Sequence, residues 1–118
     1  GPATVGILEE VWVKGAEKVL LFGTCGGLDA DLPVPQTMLV FSSFARAENT
    51  AFVLSRPVGM ECASVMAAGQ FRGKEVYQFL YTADSLAGSQ WERGLMGAHP
   101  ESDYERYLSI ALETAIRL

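Results

Sequence analysis

Three observations predict an α/β domain built around a largely parallel sheet. The run "KVLLFG" at residues 18–23 is short, apolar and unbroken, the pattern of a strand covered on both faces. The run "VYQFLYT" at 76–82 is rich in aromatic and β-branched residues, which suit a pleated and half-buried surface. Helical patterns alternate with these strands, as they do in layered α/β folds.

The first helix is predicted over residues 3–13, where Val5, Leu8, Val11 and Trp12 recur at helical spacing before Gly15 stops them. A strand follows at 18–23. Pro33 and Pro35 then separate it from a second strand at 39–44. Residues 60–69 are small or Met-rich and predict a helix lying close against a sheet. The aromatic strand at 76–82 comes next. The last helix opens at "SDYE", where Ser102 and Glu105 have capping-box spacing. Its apolar stripe is predicted to be Tyr104, Leu108, Ala111, Leu112 and Ala115, with Arg117 in the last turn.

The 118 residues fit a single domain over 1–118. Hydrophobic residues make up 49% and charged residues 19%, a globular rather than disordered balance. A net charge of −5 argues against nucleic acid or an anionic membrane surface as partner, since both are polyanions. No apolar run reaches the roughly 20 residues that span a bilayer. Cys25 and Cys62 lack metal-ligand spacing and are expected as buried free thiols in a reducing, cytoplasmic setting. His99, before Pro100 in a polar segment, is expected on a surface loop. Arg46 and Arg56 are expected to be solvated surface cations.

Three fragments carry candidate chemistry. In "FGTCGGLDADLP" at 22–33, Gly23 and Thr24 are expected just past a strand end. Glycines there either form a plain turn or turn their amides towards an anion, with the Thr24 hydroxyl beside them. In "VGMECAS" at 58–64, Glu61 either caps the following helix or accepts hydrogen bonds from both hydroxyls of a vicinal diol. Met60 is either core or a flat apolar surface for a sugar ring. In "YTADSLAG" at 81–88, Asp84 alone reads as a helix cap, its functional reading being a general acid.

Together the fragments resemble the nucleoside phosphorylase and uridine phosphorylase family, which also contains nucleosidases. The resemblance is carried by "GILEEVWVKGAEKVLLFGTCGGLDADLP" and by "VGMECASVMAAGQFRGKEVYQFLYTADSLAGSQWE", in that order, with "RAENT" a weaker match between them. It implies a three-layer α/β/α sandwich with a mixed, largely parallel central sheet. Gly23 and Thr24 match the phosphate-binding turn, Met60 and Glu61 the pair that holds the ribose, and Asp84 the catalytic residue that acts on the base. Asp84 leans the resemblance towards purines. The implied reaction is phosphorolysis to free base and ribose 1-phosphate, with inorganic phosphate as co-substrate and neither cofactor nor metal. The implied assembly is a homo-oligomer (dimer, trimer or hexamer). Leu21 stands where many phosphorylases carry an arginine, so a nucleoside hydrolase is the alternative; a non-catalytic nucleoside-binding remnant is a third. The family is longer than this chain before Gly1 and between residues 51 and 58. The sequence therefore reads as ordered segments of a longer protein, with a seam near 52–59, a natural or engineered miniature being the alternative.

Overall fold

Lys18–Gly27 forms strand β1 and Glu75–Ser85 forms β4, and these two lie side by side and parallel at the centre of the sheet. A computed structural model of the chain describes residues 1–31, 38–42, 57–58, 61–93 and 101–118. Its other elements are helix α1 (Pro2–Val13), strand β2 (Met38–Ser42), strand β3 (Pro57–Val58), helix α2 (Cys62–Arg72) and helix α3 (Glu101–Arg117). Among the described residues the sheet has four strands, in the order β2-β4-β1-β3. The protein is a mixed α/β structure, as the alternation of patterns predicts.

The largely parallel sheet is corrected. Of the three strand pairings among the described residues, only β1 with β4 is parallel, running from Lys18 opposite Glu75 to Gly27 opposite Ser85. β2 runs antiparallel to β4, with Met38 opposite Tyr81 and Ser42 opposite Tyr77. The stretch 28–37 between β1 and β2 is shorter than the dozen or more residues a parallel crossover needs, so β2 returns in the opposite direction. β3 pairs two residues antiparallel with the end of β1, Gly26 with Val58 and Gly27 with Pro57.

Both early helices end where the sequence allows a left-handed residue. α1 is followed by Gly15 at φ 99°. α2 stops at Gly73, φ 62°, where Gly73 N–H donates to Gln70 O and Lys74 N–H to Gly69 O, closing the last turn. α3 begins at Glu101, so Ser102 is helical rather than the capping residue that the capping-box spacing implies. Its buried face is also turned from the predicted one. Tyr107 and Ala111 are buried, whereas Leu112 is 57% exposed.

Alternation along β4 divides the apolar residues between two sets of partners. Val76 and Leu80 join Leu8 and Trp12 of α1, Cys25 of β1, and Cys62, Val65 and Met66 of α2 in one core cluster. Phe79 and Tyr81, on the other face, meet aromatic rings instead. Phe22 packs against both at centroid separations of 5.8 and 5.6 Å, Tyr104 meets Phe22 edge-on, and Tyr107 stacks on Tyr81 at 4.8 Å. That stack explains why Tyr107 is the buried anchor of α3. Among the described residues, no helix is long and apolar enough to cross a membrane. Arg46, Arg56, Met60 and His99 lie outside the described residues, as does the expected seam at 52–59 apart from β3 itself.

Candidate functional site

The glycine-rich fragment is strand, not turn. β1 runs on through Gly23, Thr24, Cys25, Gly26 and Gly27, pairing with β4 throughout and slipping register by one residue between Cys25 and Gly26. Such a bulge re-aims the chain at the end of a strand. The only positive-φ glycines among the described residues are Gly15 and Gly73, so conformational freedom does not explain the glycines of β1.

Space explains them, differently at two positions. A Cβ on Gly26 would stand 3.0 Å from Leu86 Cδ1 and 3.1 Å from Asp84 Oδ1, so both side chains would have to give way by a few tenths of an ångström. Gly26 is therefore kept small by its own neighbours. A Cβ on Gly23 would meet only Leu80 Cδ2, at an ordinary 3.8 Å. The fold has room for a side chain at Gly23, and the room opens into a cleft.

That cleft, about 240 Å³, lies between β1, β4 and the N-terminal ends of α1 and α2. Gly23 and Thr24 form one wall and Glu61 another; Thr4 and Gln78 add polar groups, and Leu21 and Leu80 apolar ones. Its volume is below the roughly 300–1,000 Å³ typical of complete small-molecule pockets. Sequence reasoning missed Thr4 and Gln78. Gln78 was detectable as the one polar residue breaking the apolar interior of "VYQFLYT", and it is only 2% exposed; Thr4 gave no such signal. A larger recess, about 330 Å³, runs beside Glu9, Glu10, Val13 and Lys14. All four come from α1 or its end, so no groups converge there from different elements.

Glu61 stands at the N-cap of α2, yet its carboxylate makes no capping hydrogen bond. Its backbone carbonyl instead accepts from Val65 N–H at 3.0 Å and Ser64 Oγ at 2.9 Å. The side chain is 43% exposed, and its Oε1 lies 3.3 Å from the terminal ammonium of Gly1. A carboxylate left off the cap and turned to the cleft keeps acceptor capacity for a ligand.

Asp84 is the penultimate residue of β4, opposite Gly26, and no helix starts from it. It lies farther along the strands than Gly23 and Thr24 and does not line the cleft. Its Oδ2 accepts a hydrogen bond from Trp91 Nε1 at 2.6 Å. The structure thus gathers Gly23, Thr24 and Glu61 into one cleft and sets Asp84 beyond it, at the carboxyl ends of the parallel pair, where ligands of α/β sheets collect.

Both cysteines are free and buried, as expected. Cys62 donates its thiol proton to Gln78 Oε1 at 2.8 Å. Burial, then Cys62 and then the Asp84 carboxylate push the Cys25 thiol from 9.0 up to about 12. Burial and then Glu61 push Cys62 up to about 11. Both stay protonated at neutral pH and are poor nucleophiles. Each binds its proton more tightly folded than unfolded, so stability is unaffected below pH 9 and falls as pH rises from there towards 12. We expect thermal unfolding midpoints to drop over that window. The native thiols should also resist iodoacetamide at mildly alkaline pH, while the unfolded chain reacts. Among the described residues, no three His, Cys, Asp or Glu side chains come together as a metal site.

Compared with protein-family models, curated proteins and solved structures, the chain gives no match in any of the three. The case for a function rests on the site.

Proposed function

We propose that the protein is a purine-leaning nucleoside phosphorylase, which splits the N-glycosidic bond of a nucleoside with phosphate to give free base and ribose 1-phosphate. Gly23 carries this reading. It sits within a central parallel strand, at negative φ, with space for a Cβ that it does not use, and, with Thr24 beside it, lines a cleft that Glu61 also lines. Glycine in a strand interior weakens the strand, and close approach of a ligand to the backbone is a recurrent reason for it.

In this reading Glu61 accepts hydrogen bonds from the 2′- and 3′-hydroxyls, and Met60 lies against the sugar. Phosphate sits beside Gly23 and Thr24, taking the threonine hydroxyl as donor. The sugar passes through an oxocarbenium-like state, which the neighbouring anion stabilises before attacking the anomeric carbon. Asp84 gives its proton to N7 of the base, so that a neutral purine departs. The three-layer α/β/α sandwich, the homo-oligomer and the cytoplasmic setting belong to the same proposal. Val13, Phe71 and Ile116, each above 80% exposed, suit an assembly that covers them, and free thiols suit a reducing compartment.

Hydrolysis is the second reading, and one observation favours it. Leu21 lines the cleft, and no lysine or arginine among the described residues joins it there; water needs no cationic cradle. The test is release of base from inosine with and without inorganic phosphate. Release only with phosphate supports phosphorolysis, and equal rates in both assign a nucleoside hydrolase. For either reaction, Glu61→Ala should lower kcat/KM for inosine about tenfold or more, because hydrogen bonds to a charged group contribute about 1.5–3 kcal/mol. Unchanged kinetics would remove the ribose role.

A further inference from the structure

The carboxyl end of β4 is closed by a short strap. Ser85 N–H donates to Glu92 O at 3.0 Å and Ser85 O accepts from Glu92 N–H at 3.1 Å, an isolated antiparallel bridge. Within the strap, Leu86 N–H donates to Gly27 O at 2.7 Å and Ala87 N–H to Ser85 Oγ at 3.4 Å. These bonds fold residues 86–92 back on the strand end and bring Trp91 beside Asp84.

The contact made there is directional. Trp91 Nε1–H donates to Asp84 Oδ2 at 2.6 Å, and the Arg93 guanidinium lies 5.1 Å from the Trp91 ring centroid, holding the ring by cation–π attraction. The other carboxylate oxygen, Oδ1, lies over Gly26, the position where any side chain would crowd it. An indole N–H is a donor with no acceptor capacity. A proton on Oδ2 would compete with the indole hydrogen, whereas Oδ1 makes no such contact with Trp91.

We propose that Trp91 is a positioning residue for Asp84: by occupying Oδ2 it selects Oδ1 as the oxygen that delivers the proton and fixes that oxygen above Gly26. The inference rests on the reading of Asp84 as the acid towards a leaving purine. In the step, the Oδ1–H bond of Asp84 breaks and an N7–H bond forms. The electron pair of the glycosidic bond passes to the base, and phosphate supplies the new bond to the anomeric carbon. Asp84 is left as a carboxylate. The Trp91 hydrogen bond becomes charge-assisted as that negative charge develops, so it stabilises the transition state more than the bound substrate and acts on kcat. Sequence reading passed over Trp91. The available signal was an aromatic N–H donor placed just after a Gly-Ser turn that follows the candidate acid.

Two measurements test this, one of them independent of turnover. The chain has two tryptophans, and they differ: Trp12 Nε1 is buried with no hydrogen-bond partner among the described residues, whereas Trp91 is bonded to Asp84. In ¹⁵N-labelled protein, Asp84→Asn should move the Trp91 indole N–H resonance and leave that of Trp12 in place. In the inosine assay, Trp91→Phe should lower kcat about tenfold with KM changed less than about twofold, the split expected for an interaction made chiefly in the transition state. Trp91 is 50% exposed, so the variant keeps the core intact. An unmoved indole resonance, an unchanged kcat, or a loss carried by KM overturns the positioning role. A moved resonance in a wild-type protein without turnover refutes the reaction and the acid-positioning role with it, leaving a structural tether.

Discussion

Under the proposed reaction, Asp84→Asn should lower base release from inosine by about a hundredfold or more, the contribution of a well-placed general acid being roughly 10²–10⁴. Asparagine keeps the shape and one acceptor for Trp91 but has no proton to give. Folding should be little affected, since Asp84 lies at the strand end and not in the core cluster. The substitution has a second signature. The Asp84 charge is one of the causes that raise the Cys25 thiol, so its removal should ease Cys25 back towards ordinary thiol acidity and speed its alkylation at alkaline pH. A rate on inosine equal to that of the wild type would end the acid assignment, whatever Cys25 does.

Phe79→Ala should cost about 3–5 kcal/mol of stability, the usual result of truncating a buried aromatic ring. Phe79 is 2% exposed, and its ring packs 5.8 Å from that of Phe22, which in turn meets Tyr81 and Tyr104. The variant removes one ring of a cluster that joins the sheet to α3, leaving a cavity that neighbouring rings cannot fill without giving up their own contacts. A domain of this size has about 5–15 kcal/mol in all, so the urea midpoint should fall by a large fraction. A loss below about 1 kcal/mol would show that α3 is held by something other than these rings.

The central strands were legible because their signals do not depend on partners. An unbroken apolar run and an aromatic run identify β1 and β4 whatever lies beside them, and Gly15 ends α1 for a local steric reason. Strand direction was not legible, because it depends on which edge of the sheet a returning segment reaches. β3, two residues long, has no periodicity to detect. The fragment "GTCGG" was misread at one level: glycines usually break a strand, whereas here Gly26 is small to admit Asp84 and Leu86, and Gly23 leaves open space. Chemistry and conformation pulled apart there. The sequence pattern pointed to the residues of the cleft, Gly23, Thr24 and Glu61, but to a turn that does not exist. It placed Asp84 at a strand end, as found, but gave it a helix to cap. Gln78 and Trp91 were visible only as residue types, a polar residue inside an aromatic strand and an indole donor after Asp84, and what they bond to emerged only from three-dimensional contacts.

The pairing of Lys18 with Glu75 has a kinetic and a thermodynamic consequence. Everything between β1 and β4 is a loop that this pairing closes, so the two strands must find each other across a long excursion before the sheet exists. Non-local pairing of that kind slows folding. The entropy of closure, however, grows only logarithmically, about 0.6 kcal/mol for each doubling of a flexible loop. Residues added between Ser42 and Pro57 would thus delay the encounter of the strands but cost little at equilibrium. The same arithmetic makes the pairing of β1 with β4 tolerant of added length between β2 and β3.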